Sequence, residues 1–248
     1  MLERALGHVL FVHAGTTVAL TDKGRLNFDT VQEAISTIEL ATRQMKQPSI
    51  SSTHLVMRTS LPTFAMTTLI PALPTFQPAR TIVLDVVTSL SPPNAQDSYD
   101  VLITGDLRLD NTEHWLLATE DLVCIRTSNR RQKFSIERIE TLPILSAMSR
   151  PDALPSWANQ MGIASRDMHV HASFNHYFMA IAACIGGMDY LVVPHILVAE
   201  PLRHGLLLTT PGDTVRGNAV YSAYINPHAS HTEASREFFC WLKRWLDV

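Results

Sequence analysis

Leu2-Glu3-Arg4-Ala5-Leu6-Gly7-His8-Val9-Leu10-Phe11, running on to Val18-Ala19-Leu20-Thr21-Asp22-Lys23-Gly24, is the stretch around which the rest of the chain is organised. Leu2, Leu6, Leu10 and Phe11 have the spacing of one helix face, and Gly7 can end a helix. Gly15-Thr16-Thr17 supplies the small polar residues of a tight turn between short strands. A new helix then starts, with Thr21 as a good N-cap and Asp22 placing a carboxylate in the first turn.

Outward from this stretch, Phe28, Val31, Ile35, Ile38, Thr42 and Met45 recur at alternating three- and four-residue steps. Glu33, Glu39, Arg43 and Gln44 fall elsewhere, so the pattern is a coiled-coil-like seam. A helix over residues 21–45 would be about 36 Å long and needs to bury that seam. It can do so against a globular core or against a second copy. Pro48 with Ser49, Ser51 and Ser52 reads as a linker that detaches the helix from the rest of the chain, which favours dimerisation.

The chain has 248 residues, 46% of them hydrophobic, enough for a sizeable core in one large domain or two smaller ones. A net charge of −3 gives no whole-chain attraction to nucleic acid or an anionic membrane. Residues 1–47 balance Arg4, Lys23, Arg25, Arg43 and Lys46 against Glu3, Asp22, Asp29, Glu33 and Glu39, which is weak for a complete DNA-binding module. Cys124, Cys184 and Cys240 are far apart and in apolar contexts, as expected of buried thiols in a reducing compartment. With no signal-peptide pattern and no apolar run of membrane-spanning length, the expected location is the cytoplasm.

Past the linker, strands and helices alternate. Strands are expected at His54–Ser60, Thr81–Val87, Asp100–Gly105, Leu116–Arg126, Leu142–Leu145, His169–Ala172, Tyr190–Val193 and Ala219–Ile225. Helices are expected at Thr63–Phe76, Asp152–Met161, Tyr177–Ile185 and Thr232–Leu246. Asn129-Arg130-Arg131-Gln132-Lys133 reads as a solvated basic turn. The count fits two similar α/β lobes. In open sheets of this kind ligands bind beyond the carboxyl ends of strands, here Ser60, Thr63 and the end of the second strand at Thr88-Ser89.

Together these residues resemble the LysR-type transcriptional regulators. The resemblance rests on Leu2-Glu3, Leu6-Gly7, Leu10-Phe11, the short wing, Leu20-Thr21 and Gly24. Further along it rests on Leu61-Pro62, Ile70-Pro71, Leu73-Pro74, Phe76, Asp100-Val101-Leu102-Ile103, Trp157, the helix end at Ala180 to Gly187, Val193-Pro194, Phe238 and Trp241-Leu242. It implies an α/β chain with part of a winged helix-turn-helix over residues 1–20 and a linker and dimerisation helix over 21–48. It also implies a two-lobed effector-binding domain, like a type 2 periplasmic binding protein, over 52–248. Lobe one would comprise about 52–126 and 226–248, and lobe two about 127–225.

The resemblance further implies a non-enzymatic regulator of transcription that pairs as a dimer or tetramer and binds a small-molecule effector without cofactor or membrane. In the family, two helices and the base-reading part of the recognition helix precede the residues at which this chain begins. What remains could touch DNA backbone through Arg4, His13, Thr16 and Thr17, with promoter DNA a partner if a complete headpiece is supplied. A solute-binding or dominant-negative dimerisation module with no DNA binding of its own is the alternative. The dimer seam would be Phe28, Val31, Ile35, Ile38 and Met45. The effector candidates are Ser60, Thr63 and Thr104, with His171 and Phe174 in a turn that faces the cleft in the resembling fold. His169, His171 and His176 lack a carboxylate or cysteine at ligand spacing, so no metal site is expected. Hydrolase and phosphate-loop motifs are absent.

Overall fold

Thr21 starts the long second helix as its residue type predicts: its Oγ1 accepts the Gly24 N–H at 2.9 Å and donates to the Val9 carbonyl at 2.8 Å. In a computed structural model the described residues are 2–14, 17–46, 53–91, 93, 97–105, 107–110, 112–129, 142–164, 168–209 and 212–247. Two compact units emerge, Met1–Ser51 with Pro93–Ser98, and Ser52–Pro92 with Tyr99–Val248.

In the first unit, α1 (Leu2–Leu6) ends at Gly7, whose φ of 68° is the left-handed value that closes a helix. β1 (Phe11–Ala14) and β2 (Thr17–Leu20) form an antiparallel hairpin with Phe11 opposite Leu20, and α2 (Asp22–Lys46) comes next. Glu3 Oε1 accepts the Leu10 N–H at 2.6 Å and the Phe11 N–H at 3.1 Å, which ties α1 to the hairpin. Along α2 the seam residues Phe28, Val31, Ile35 and Ile38 are 45–65% exposed, an uncovered apolar stripe.

The second unit carries one mixed sheet in the order β4-β3-β5-β11-β6-β9-β7-β8, with β10 also paired to β6. In its first half β3 (Thr53–Thr59) lies between parallel neighbours β4 (Ile82–Thr88) and β5 (Val101–Gly105). In its second half β7 (Pro143–Ala147) lies between parallel β8 (His169–Phe174) and β9 (Tyr190–Pro194). Each central strand runs from its carboxyl end into a helix that returns on the next strand. After β3 this is α3 (Pro62–Phe64), a π-helical turn (Ala65–Leu69), α4 (Ile70–Ala72) and a 3-10 turn (Leu73–Thr75). After β7 it is α5 (Ala153–Gln160), and α6 (Tyr177–Ile185) joins β8 to β9. These halves are the two expected lobes, and a continuous apolar core runs through both.

Two long antiparallel strands join the lobes, β6 (His114–Thr127) and β11 (Val215–Ile225). Trp115 pairs with Ala223 in lobe one, while Leu122 pairs with both Val215 and Pro194 in lobe two. The chain therefore crosses between lobes inside β6 and β11, at a bulge between Arg216 and Val220, whereas the resemblance implied boundaries at about 126–127 and 225–226. The segment after β9 holds a 3-10 turn (His195–Leu197), α7 (Ala199–Arg203) and β10 (Leu207–Thr209), and α8 (Thr232–Leu246) packs Phe238, Phe239 and Leu242 into the core. The basic turn Asn129 to Lys133 lies, apart from Asn129, outside the described residues.

Candidate functional site

The carboxyl ends of β3, β7, β8 and β9 converge on a cavity of about 450 Å³ between the lobes, within the size range of small-molecule sites. Ser60, Leu61 and Thr63 enter from lobe one, and Ser149, Arg150 and Tyr177 from lobe two. Leu61-Pro62 explains the lobe-one wall. Pro62 starts the helix without needing its missing N–H, and Thr59 Oγ1 accepts the Leu61 N–H at 3.0 Å, which turns the chain out of β3. Buried Arg58 donates to Ser89 Oγ and the Ser91 carbonyl, both at 2.9 Å, and so holds the loop that places Leu90 on the rim.

On the lobe-two side Ser149 N–H donates to the Asn175 carbonyl at 3.0 Å, extending the β7–β8 ladder to the cavity edge. Arg150 then makes a double fork. Its Nη1 and Nη2 donate to Glu120 at 2.6 and 3.0 Å, and its Nε and Nη2 donate to Asp152 at 3.0 and 2.9 Å. Hydrogen bonds from Arg150 hold the Asp152 carboxyl below its ordinary range, and those from Asp152 and Glu120 hold the guanidinium in its charged form. The Glu120 side chain is wholly buried at the lobe crossover, where its Oε2 also accepts the Ala219 N–H at 3.3 Å. Burial pushes the Tyr177 hydroxyl above its ordinary value.

Of the residues expected at the cleft, Ser60 and Thr63 line the cavity. Thr104 stands behind Ser60, the two hydroxyls 2.8 Å apart. His171 and Phe174 are not on the wall. The β7–β8 ladder steps from Val170 to Ala172, leaving His171 at a bulge, and the imidazole pairs with Asp189 at 2.5 Å. That step also breaks the alternation that would have put His169 and His171 on one face. Phe174 packs instead on the apolar core. No group of three metal-ligating side chains occurs among the described residues. Arg4 is exposed on α1, His13 and Thr17 lie in β1 and β2, and Thr16 is outside the described residues. Met45 lies within α2.

Arg150, Asn175, His176 and Tyr177 were not among the residues the sequence singled out for the cavity, yet a signal for them exists. The rule that ligands sit beyond strand carboxyl ends, applied to lobe one at Ser60, applies equally to lobe two after Ala147 and Phe174.

Fold and cavity together define a two-lobed effector domain of the periplasmic-binding-protein type. The model of the LysR substrate binding domain matches residues 51–247, and the chain belongs to that family. It is 27% identical over 104 residues to the HTH-type transcriptional regulator TrpI of Pseudomonas aeruginosa, a match spanning 42% of this chain and 35% of that relative. In structure it is similar to the AmpR effector binding domain from Citrobacter freundii, with TM-score 0.62 and 21% identity over 79% of this chain and 98% of that one. It is also similar to CrgA, a LysR-type transcriptional regulator from Neisseria meningitidis, with TM-score 0.57 and 17% identity over 99% of this chain and 85% of that one. No described helix is long and apolar enough to cross a membrane.

Proposed function

We propose that the chain is the sensing part of a LysR-type transcriptional regulator, binding a small-molecule effector between its lobes and pairing with a second copy through α2. The carrying observation is the interlobe cavity, walled by strand ends and helix starts of both lobes, in a domain whose family model spans residues 51–247. Ser60 and Thr63, with Thr104 setting the Ser60 hydroxyl, are the effector contacts on lobe one. Closure on the ligand changes how the lobes present themselves to neighbouring subunits, a shift between pre-existing arrangements. The exposed seam Phe28, Val31, Ile35 and Ile38, continued by Met45, is the dimer contact. Arg4, His13, Thr16 and Thr17 are residual backbone contacts to promoter DNA, whose sequence is read where a complete winged helix is supplied. The buried thiols Cys124 and Cys184 suit the cytoplasm.

Thermal-shift screening of metabolites tests the cavity. A true effector raises the melting temperature of the parent chain and of His171→Ala, which lies off the wall, but not of a Thr63→Tyr variant that fills the cavity. An equal response in Thr63→Tyr would place the ligand elsewhere.

A further inference from the structure

We infer that this cavity takes an uncharged ligand, a ring-sized apolar body with two neutral hydrogen-bonding groups, and discriminates against carboxylates of the same shape. The inference rests on the cavity's being the effector site and adds the chemistry of what enters it.

The first observation concerns charge. Arg150 is the one Lys, Arg, Asp or Glu on the described wall, and its guanidinium is already held by two carboxylates, Glu120 and Asp152, through four hydrogen bonds. A planar guanidinium has five N–H donors, so one remains for a ligand. The two carboxylates outweigh one cation, and an incoming anion meets excess negative charge in a partly desolvated site. The start of α6, whose N-cap His176 and first residue Tyr177 line the wall, favours the oxygen end of a carbonyl or amide without requiring full charge.

The second observation concerns hydrogen bonding. Thr63 and Tyr177 are 7% and 3% exposed and both line the cavity, yet neither hydroxyl has a hydrogen-bond partner among the described residues. Burial favours the protonated phenol of Tyr177, which suits it to donate to a neutral acceptor. Hydroxyls that line a cavity without a protein partner select ligands that complete them.

The third observation is the rim. Leu90 from lobe one and Met148 from lobe two line the cavity while remaining 70% and 59% exposed. An apolar ligand body between them would take both side chains out of water.

The test uses a matched pair, naphthalene-2-carboxamide and naphthalene-2-carboxylate, titrated into the full chain at pH 8 by calorimetry with amide-resolved NMR. The carboxamide should shift cavity residues and bind about tenfold or more tightly than the carboxylate, as the excess negative charge beside the wall requires. Thr63→Val and Tyr177→Phe, which keep shape and remove one hydroxyl each, should weaken the carboxamide several-fold. Asp152→Asn removes one of the opposing carboxylates and should narrow the preference. Equal or tighter carboxylate binding in the parent chain overturns the charge argument while leaving the cavity as a ligand site. If neither compound shifts cavity residues, the effector-site reading itself fails.

Discussion

Gly217 faces a carboxylate. A Cβ there would lie 2.2 Å from Glu120 Oε2 and 2.6 Å from Glu120 Cδ, so any side chain must push Glu120 off Arg150. Breaking a buried ion pair leaves a desolvated charge, and Gly217→Ala should cost about 2–4 kcal/mol in chemical denaturation. A change below about 0.5 kcal/mol, typical of surface substitutions, would mean that Glu120 can relocate without cost. Asp152 gives the same cluster an acid limb. Its folded-state pKa is depressed by Arg150, so its contribution is fully present above the ordinary value of 3.8 and is lost as pH falls through the lower folded value. Asp152→Asn should therefore lower stability at neutral pH and flatten its decline below pH 3.8, seen in urea melts at a series of pH values. An unchanged acid limb would contradict this assignment.

At the scale of elements, α2 presents an exposed apolar seam, and an exposed helix of 25 residues is not sustained by propensity alone. On the proposed pairing through α2, the parent chain should sediment as a dimer and Ile35→Asp as a monomer at micromolar concentration, and equal masses would remove α2 from the proposed interface. Much of this level was legible in the residues. Helix bounds at Tyr177–Ile185 and Thr232–Leu246 agree with the sequence reading to the residue, because each has strong periodicity and a clear boundary. Gly24, part of the motif that carried the resemblance, has a physical reason: a Cβ there would come within 2.0 Å of the Leu10 carbonyl oxygen where hairpin meets helix. The segment from His195 to Thr209 was illegible because its elements are three to five residues long, too short to show a period. His171, which the resemblance put in a turn facing the cleft, lies within β8 at a β-bulge and pairs with Asp189, a detail that composition does not carry.

At the scale of the whole molecule, the second unit is two copies of one plan, a central parallel strand flanked by two parallel neighbours, joined by β6 and β11. That arrangement puts Glu120 at the crossover and its partner Arg150 on the cavity wall, so cavity wall and lobe crossover share one ion pair. The cavity itself was half legible: β3 ends in Ser60 and Thr63 as a strand-end rule requires, and the same rule reaches Arg150 and Tyr177 only when it is also applied after β7 and β8, whose ends parallel pairing sets side by side. The central claim is that one small molecule bridges both lobes. Hydrogen–deuterium exchange of the full chain, with and without the best compound from the thermal-shift screen, tests it most directly. The account predicts simultaneous protection of residues 60–65, 148–153 and 176–180. Protection confined to one lobe, or centred on the separate surface hollow at Arg80 and His231, would contradict it.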